Sequence, residues 1–481
     1  MTLVQSLLSH IRSHPEQLAF LDKRGPIPFA RFGVMVSDLA RHLRETGVER
    51  GDRVLLCAPN GVSWAASYFA VHAMGCVAVP LDFAAVENTI QRVVAETSPK
   101  LALSGRTLPV TLPTLELSEE CEASESAAAV EAICESDDVA DILFTTGTTG
   151  QGKGVVLTHR QIAAAATNIN EFIGSRLGDV EVVTVPLSHS FGLGRLRCMA
   201  QSGTTLVLEP GLRNAAMVLK RLLDCHATGL AMVPAGFEIL LQMTKDRLGD
   251  AKEHLRYIEI GSAPMRLETK QKLMSLLPKT RICHHYGLTE ASRAAFIEYH
   301  ADREHLTSIG HASPNVEIAF HDENGREVAP GEVGELVVRG GMVMKEYLGK
   351  PELTAKTLEG GWLHTGDLGR KDADGYFYLL SRRDDVINVG GLKVHPEEVE
   401  NALNAHPAIV EAACVGADEP HQKATICVKA FLVVREEVPD VDLVAWLRPQ
   451  LEEYKIPRLW ERVDSLPKTS SGKLQRKRLV L

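Results

Sequence analysis

The sequence lacks a basic excess, a cysteine framework and a long apolar run. Lys and Arg number 52 against 62 Asp and Glu, a formal charge of −10 at pH 7. No overall positive field exists to hold a polyanion, which disfavours nucleic acid as a partner. The nine cysteines, between Cys57 and Cys427, never form a C-x-x-C pair. Their odd number suits reduced thiols in a cytoplasm better than a disulfide scaffold or a structural zinc. The most apolar stretch, Trp64 to Pro80, is broken by Ser67, His72 and Gly75, short of the roughly 20 apolar residues of a membrane span. The start, MTLVQSLLSHIRSHPEQ, places His10, Arg12 and His14 where a signal peptide needs an unbroken apolar core. An amphipathic helix and a soluble, cytoplasmic protein are therefore expected. Fixed-period repeats and low-complexity tracts are missing too.

What is present is the composition of a globular protein, 45% hydrophobic and 24% charged over 481 residues, enough for about three domains or one large enzyme core with an appendage. Apolar residues at helical spacing (Phe32, Val36, Leu39, Leu43) lead into a strand at 52–57, then a helix at 62–74, a strand at 76–79 and a helix at 86–96. Further buried strands are expected at 141–145, 180–186, 204–208, 229–233 and 257–260, with helical patterns between them. Such alternation predicts a layered α/β fold with parallel sheet. The stretch 118–138, rich in Glu, Ala and Ser, reads as a solvated connection. After Ile309 the pattern turns to short strands between turn signals, a β-rich subdomain, and from about 384 to a small α+β domain. The expected domains are 1–383 and 384–481.

The densest local signal is Ile142-Leu-Phe-Thr-Thr-Gly-Thr-Thr-Gly-Gln-Gly-Lys-Gly154. Glycines let backbone N–H groups converge on phosphate oxygens, threonine hydroxyls add donors, and Lys153 supplies a point charge. The chemistry is that of a triphosphate cradle. Gly147 to Lys153 has the spacing G-x-x-x-x-G-K, but Gly154 stands where a nucleotide-hydrolysing P-loop needs a Ser or Thr for Mg²⁺.

Downstream stand Tyr286-Gly-Leu-Thr-Glu290, Gly331 to Gly340, Trp362-Leu-His-Thr-Gly-Asp367, Ser381 to Lys393 and Pro467-Lys-Thr-Ser-Ser-Gly-Lys473. In this order the motifs resemble those of the acyl-adenylate-forming, AMP-binding superfamily: acyl-CoA synthetases, peptide-synthetase adenylation domains and luciferase. The likeness spans essentially the whole chain and is closest to carboxylic acid–CoA ligases. It implies a large N-terminal domain, a small mobile C-terminal lid and an active site in the cleft between them. It also implies ATP and Mg²⁺, a carboxylate attacking the α-phosphorus, and release of pyrophosphate.

Carried over residue by residue, the resemblance gives Thr145, Thr146, Gly147, Thr148, Thr149, Gly150 and Lys153 to the β- and γ-phosphates, with Gly152 where the family usually has proline. Gly261, Ser262, Ala263 and Pro264 match the adenine-side loop, Ser262 replacing the usual glycine. Tyr286 would face the adenine, Thr289 the α-phosphate, and Glu290 would ligate Mg²⁺. Asp367 and Arg382 match the ribose contacts, with Ser381 where glycine commonly precedes the arginine. Lys473 is the expected catalytic lysine, Asp384 the hinge, and Gly390 to Lys393 the segment that would enter the site for thioester formation.

In Pro186-Leu-Ser-His-Ser-Phe-Gly192, His189 matches the residue beside the substrate carboxylate. Amino-acid-activating members of the family carry an aspartate close to the position of Ser190, and no acid lies between Pro186 and Gly194, so the resemblance implies that an α-ammonium group would be buried unpaired, which disfavours amino acids. An aliphatic or aryl acid is the expected substrate. Gly192 and Gly194 would leave room for its chain, Phe191, Val233, Ala235 and Ala291 would form apolar walls, and Arg195 and Arg197 are candidates to pair with a second acidic group. Eight residues follow Lys473, so the thiol acceptor, coenzyme A or the phosphopantetheine of a carrier protein, is expected in trans. Two readings of other classes stand beside this one: a non-catalytic nucleotide-binding paralogue, and a P-loop ATPase or kinase.

Overall fold

The structure is a computed structural model that describes residues 1–117, 131–145, 152–209, 215–389, 392–418, 426–469 and 472–479. The described chain clusters into two compact units, Met1–Glu317 with Val338–Leu363, and Ile318–Val337 with His364–Leu481.

The larger unit carries two sheets. The nine-stranded sheet runs, edge to edge, His311–Ala312, Ala295–Glu298, Arg281–Tyr286, Tyr257–Ile260, Gly229–Met232, Val180–Val183, Thr205–Leu208, Leu18–Asp22, Gly25–Pro28. From Arg281–Tyr286 to Leu18–Asp22 every neighbour is parallel, and the edges are antiparallel. Its core packs Val182, Leu230, Met232, Phe237, Leu240, Ile258, Ile260 and Ile282, none more than slightly exposed. The seven-stranded sheet includes Arg53–Cys57, Val77–Pro80, Leu101–Ser104, Val139–Phe144 and Gly154–Thr158. The expected α/β fold is present. Of the five strands anticipated between 141 and 260, Val139–Phe144 belongs to this second sheet and the other four lie together in the first.

Local sequence explains the elements. Helix Phe29–Glu45 buries Phe29, Phe32, Val36, Leu39 and Leu43, the stripe that its 3.6-residue period lays on one face. Helix Val62–Ala73 has no polar face and is buried on every side, so the chain's most apolar stretch is interior helix and strand. Among the described residues, no helix is long and apolar enough to cross a membrane. Helix His159–Ile173 opens on a capping box, Thr158 accepting from the Gln161 amide while the Gln161 side chain accepts from the Thr158 amide.

The smaller unit holds most of the four-stranded sheet Val316–His321, Gly334–Gly340, Leu363–Lys371, Phe377–Arg382, whose last two strands pair antiparallel. It also holds the sheet Ile409–Asp418, Ile426–Val434, Leu459–Arg462, packed on helices Pro396–Asn404 and Asp440–Leu447. Helix Asp440–Leu447 starts directly after Pro439, whose fixed φ suits the N-cap.

Candidate active site

Four of the anticipated segments leave the C-terminal ends of four adjacent parallel strands. Pro186–Phe191 follows Val180–Val183, Val233–Ala235 follows Gly229–Met232, Gly261–Pro264 follows Tyr257–Ile260, and Tyr286–Glu290 closes Arg281–Tyr286. In an open α/β sheet this edge is where loops diverge and ligands sit. The register pairs Ile260 with His284, which sets the two adenine-side segments next to one another.

Close approach dictates several of the small residues. A Cβ on Gly261 would lie 1.9 Å from the His285 ring, and one on Gly287 would lie 2.5 Å from the Arg293 amide. Ser262, which replaces a family glycine, has φ 76°, so a residue with a Cβ occupies the left-handed region that favours glycine. Tyr286, Thr289 and Glu290 are half-buried.

Glu290 is held from outside its own motif. Tyr347 donates its hydroxyl to Glu290 Oε1 at 2.7 Å, and the Lys153 ammonium lies 5.1 Å from the Tyr347 ring centre. One tyrosine thus links the proposed phosphate lysine to the proposed metal carboxylate. The Glu290 carbonyl also accepts from the Met344 amide. The sequence offered no sign of Tyr347, which lies 57 residues from Glu290 on the short strand Glu346–Tyr347.

Thr145 and Lys153 close the neck of the phosphate loop. The Thr145 amide donates to the Lys153 carbonyl at 3.0 Å, and the Lys153 amide donates to Thr145 Oγ1 at 3.3 Å. Thr146, Gly147, Thr148, Thr149 and Gly150 lie outside the described residues. Gly154 begins a strand antiparallel to Val139–Phe144, where a nucleotide-hydrolysing P-loop would begin a helix. A Cβ at Gly152 would meet the Thr145 carbonyl at 2.3 Å, so the departure from proline leaves a tight neck.

His189 is the N-cap of helix Ser190–Ser202, and its Nε2 lies 3.0 Å from Asp82 Oδ2. The His189 hydrogen bond is the main cause holding the Asp82 carboxyl below its ordinary range. Asp82 was missed in the sequence because it stands 107 residues away on the turn after Val77–Pro80.

The space expected around Gly192 and Gly194 is filled. A Cβ on Gly192 would lie 2.3 Å from the Pro186 carbonyl oxygen, and one on Gly194 would lie 2.3 Å from the Arg293 guanidinium. These glycines accommodate neighbours and leave no room for an acyl chain. Of the expected walls, Phe191 and Ala291 are buried, Val233 is half-buried and Ala235 is exposed.

Arg195 and Arg197 are likewise committed within the protein. Arg195 Nε donates to Glu181 Oε1 at 2.6 Å, and its Nη1 lies 3.2 Å from Glu259 Oε2. Arg197 donates to Asp141 at 2.6 Å and to the Tyr68 hydroxyl at 3.0 Å. Both arginines are almost wholly buried, and a buried cation without such partners would be strongly destabilising. Neither is free to bind a second acidic group.

In the smaller unit Asp367 and Arg382 are cross-strand partners, with Arg382 Nη1 donating to Asp367 Oδ1 at 2.8 Å and to the Thr365 carbonyl at 2.7 Å. Gly366 lies within the strand Leu363–Lys371 at φ 75°, and its amide donates to Glu335 at 2.9 Å. Ser381 pairs with Leu368 beside a register shift in the strand pair, and its hydroxyl lies 2.6 Å from His395 Nδ1. Asp384 is exposed in a single 3₁₀ turn, Arg383–Asp385. Gly390 and Gly391 lie outside the described residues. Lys473 is an exposed side chain on a tight turn: the Thr469 amide donates to its carbonyl, and its own amide donates to Thr469 Oγ1. Arg476 is half-buried. It bonds Glu400 at 2.6 Å and Asp385 at 3.2 Å, tying the C-terminal tail to the turn that carries Asp384.

Among the described residues no three acidic, His or Cys side chains form a cage for a metal ion. A lone carboxylate such as Glu290 fits Mg²⁺ shared with phosphate oxygens and water, the usual mode for that ion.

Residues 8–348 match the family model of the AMP-binding enzymes, and residues 398–473 that of the AMP-binding enzyme C-terminal domain. A feruloyl-CoA synthase of Amycolatopsis is 30% identical over 96% of this chain and 95% of its own. A fatty acid–[acyl-carrier-protein] ligase of Streptomyces coeruleorubidus is 31% identical over 99% of this chain and 96% of its own. The structure of o-succinylbenzoate CoA synthetase from Bacillus subtilis with an acyl-adenylate superposes with a TM-score of 0.88 at 27% identity, covering 98% of this chain and 97% of that one.

Proposed function

The chain belongs to the AMP-binding enzymes, and from that membership we propose how its residues divide the work of an AMP-forming acid–thiol ligase. The reaction class is ATP-dependent: a carboxylic acid becomes an acyl-adenylate with loss of pyrophosphate, and the acyl group then passes to a thiol. The observation that carries the assignment is the convergence of Pro186–Phe191, Gly261–Pro264 and Tyr286–Glu290 on one sheet edge.

Thr145 to Gly150 and Lys153 bind the β- and γ-phosphates. Gly261 to Pro264 and Tyr286 take the adenine, Asp367 and Arg382 the ribose, and Thr289 the α-phosphate. Glu290 ligates Mg²⁺, which neutralises phosphate charge when bound. His189, oriented by Asp82, lies beside the substrate carboxylate. Lys473 stabilises the charge that builds on the α-phosphorus, where an oriented cation does most good. The bodies that move are 1–383 and 384–481, with Asp384 as the hinge.

The substrate is a fatty or aryl acid. The acids that the structure brings to the His189 segment, Asp82 and Glu259, are engaged with His189 and Arg293, which supports excluding α-amino acids. Coenzyme A is the proposed acceptor, as the feruloyl-CoA synthase likeness supports. The likeness to a carrier-protein ligase supports phosphopantetheine on a separate carrier as the second reading. The cytoplasm is the proposed location.

A panel of straight-chain fatty acids and hydroxycinnamates, scored for nucleotide product with and without coenzyme A, tests the reading. AMP and pyrophosphate are expected, with thioester when coenzyme A is added. ADP as the product would overturn the assignment. AMP formation with no coenzyme A thioester would move the acceptor to a carrier protein.

A further inference from the structure

Arg293 stands three residues beyond Glu290 and has no place in the roles assigned so far. It is 2% exposed, and its backbone is left-handed at φ 52°, an unfavourable conformation for a residue with a Cβ. Four of its five guanidinium N–H donors are engaged, one of them by the neighbouring Ser292 hydroxyl at 3.1 Å. Nε donates to Glu259 at 3.0 Å, Nη1 to the Ser190 carbonyl at 2.8 Å, and Nη2 to the Phe191 carbonyl at 2.8 Å. It lies 5.1 Å from the centre of the Phe191 ring, while His285 packs edge-on against the same ring at 4.8 Å. The Arg293 carbonyl accepts from the Ser313 hydroxyl. Burial opposes ionisation of Glu259, but Arg293 and then Arg195 outweigh it and hold the carboxyl well below its ordinary range.

The two carbonyls belong to the first turn of helix Ser190–Ser202, whose N-cap is His189. A cation at a helix N-terminus is unfavourable to the helix dipole, and burying it costs more. Both costs are tolerable only with Glu259 beneath it. Gly194 belongs to the same device, since any Cβ there would displace the guanidinium by entering within 2.3 Å.

Resting on the adenylation reading above, we propose that Arg293 is a positioning residue that fastens the turn His189–Phe191, which receives the acid, to the loop Thr289–Glu290, which receives the nucleotide. Arg293 touches no reacting atom. It sets the distance between the two substrates' sites, and an error of about 1 Å in such a distance costs as much as 10²-fold in rate.

The test uses Arg293→Lys, Arg293→Met and Gly194→Ala in the full chain, with the panel acid of highest kcat/KM for the unaltered enzyme. Gly194→Ala is the informative variant. It changes no charge and meets only the guanidinium end of Arg293, and far-ultraviolet circular dichroism and the urea midpoint of each variant identify those that fold. The expectation is an acid KM raised about tenfold or more and kcat lowered, with the ATP KM within about twofold. Arg293→Lys should retain more activity than Arg293→Met. The double variant Gly194→Ala, Arg293→Lys should lose no more than the worse single change, because both act through one contact. Folded variants with unchanged acid KM and kcat, equal rises in both KM values, or multiplicative losses in the double variant would each overturn the proposal. An unaltered enzyme that forms no AMP with any panel acid would instead overturn the adenylation reading on which it rests.

Discussion

Tyr347 shows how much one side chain can organise. Its ring faces Lys153 and its hydroxyl serves Glu290, so removing one oxygen should disturb the carboxylate without unfolding the loop. A hydrogen bond to a charged group contributes about 1.5–3 kcal/mol. Tyr347→Phe is therefore expected to slow adenylate formation by about 10-fold to 100-fold and to raise the Mg²⁺ concentration needed for half-maximal rate. Pyrophosphate exchange against Mg²⁺ concentration measures both, and an unchanged Mg²⁺ profile would deny Tyr347 that role. Ser262 was legible as a departure from a family glycine, but its left-handed backbone was not, since φ is set by the path from Tyr257–Ile260 to helix Leu267–Leu276.

At the scale of elements, strands and helices were legible wherever period and punctuation agreed. Partners across the sheets were not. The buried cluster of His72, Asp141, Tyr68 and Arg197 joins helix Val62–Ala73, strand Val139–Phe144 and helix Ser190–Ser202. His159, first residue of helix His159–Ile173, packs against His72 with ring centres 4.8 Å apart. Neither His159 ring nitrogen has a partner among the described residues. Burial, and then His72, lowers its pKa to about 3. Below pH about 6.5 the unfolded chain protonates this histidine while the folded chain does not until about pH 3. Stability should therefore fall as pH drops through that window, by at most about 1.4 kcal/mol per pH unit from this group. His159→Phe should flatten the dependence, as urea midpoints between pH 7 and pH 4 would show. Parallel curves for the two proteins would refute it.

At the scale of the whole molecule, the proposed chemistry is divided between residues 1–383 and 384–481. The turn around Lys473 is held by backbone atoms and Thr469, so Lys473→Ala removes the charge and keeps the turn. It should lose adenylate formation by about 10²-fold or more, yet still make thioester from preformed acyl-adenylate. Asp384→Pro should do the reverse, because a fixed φ restricts the hinge. Measuring both half-reactions in both variants decides the matter, and equal losses throughout would remove the two-conformation mechanism.

The sequence by itself determined the fold class, the order of the motifs and the class of reaction, because a Gly/Thr loop, a Thr-Glu pair and a terminal lysine are local signals that survive without neighbours. The residues that fix those groups in space were decided by tertiary structure alone. Asp82 reaches His189 across 107 residues and Arg293 reaches Ser190 across 103. The same holds for what was corrected. Gly192 and Gly194 read as open space until a carbonyl and a guanidinium filled it, and Arg195 and Arg197 read as available until Glu181 and Asp141 were found beneath them. Burial and ion pairing depend on which strands become neighbours, and that information is spread over the whole chain.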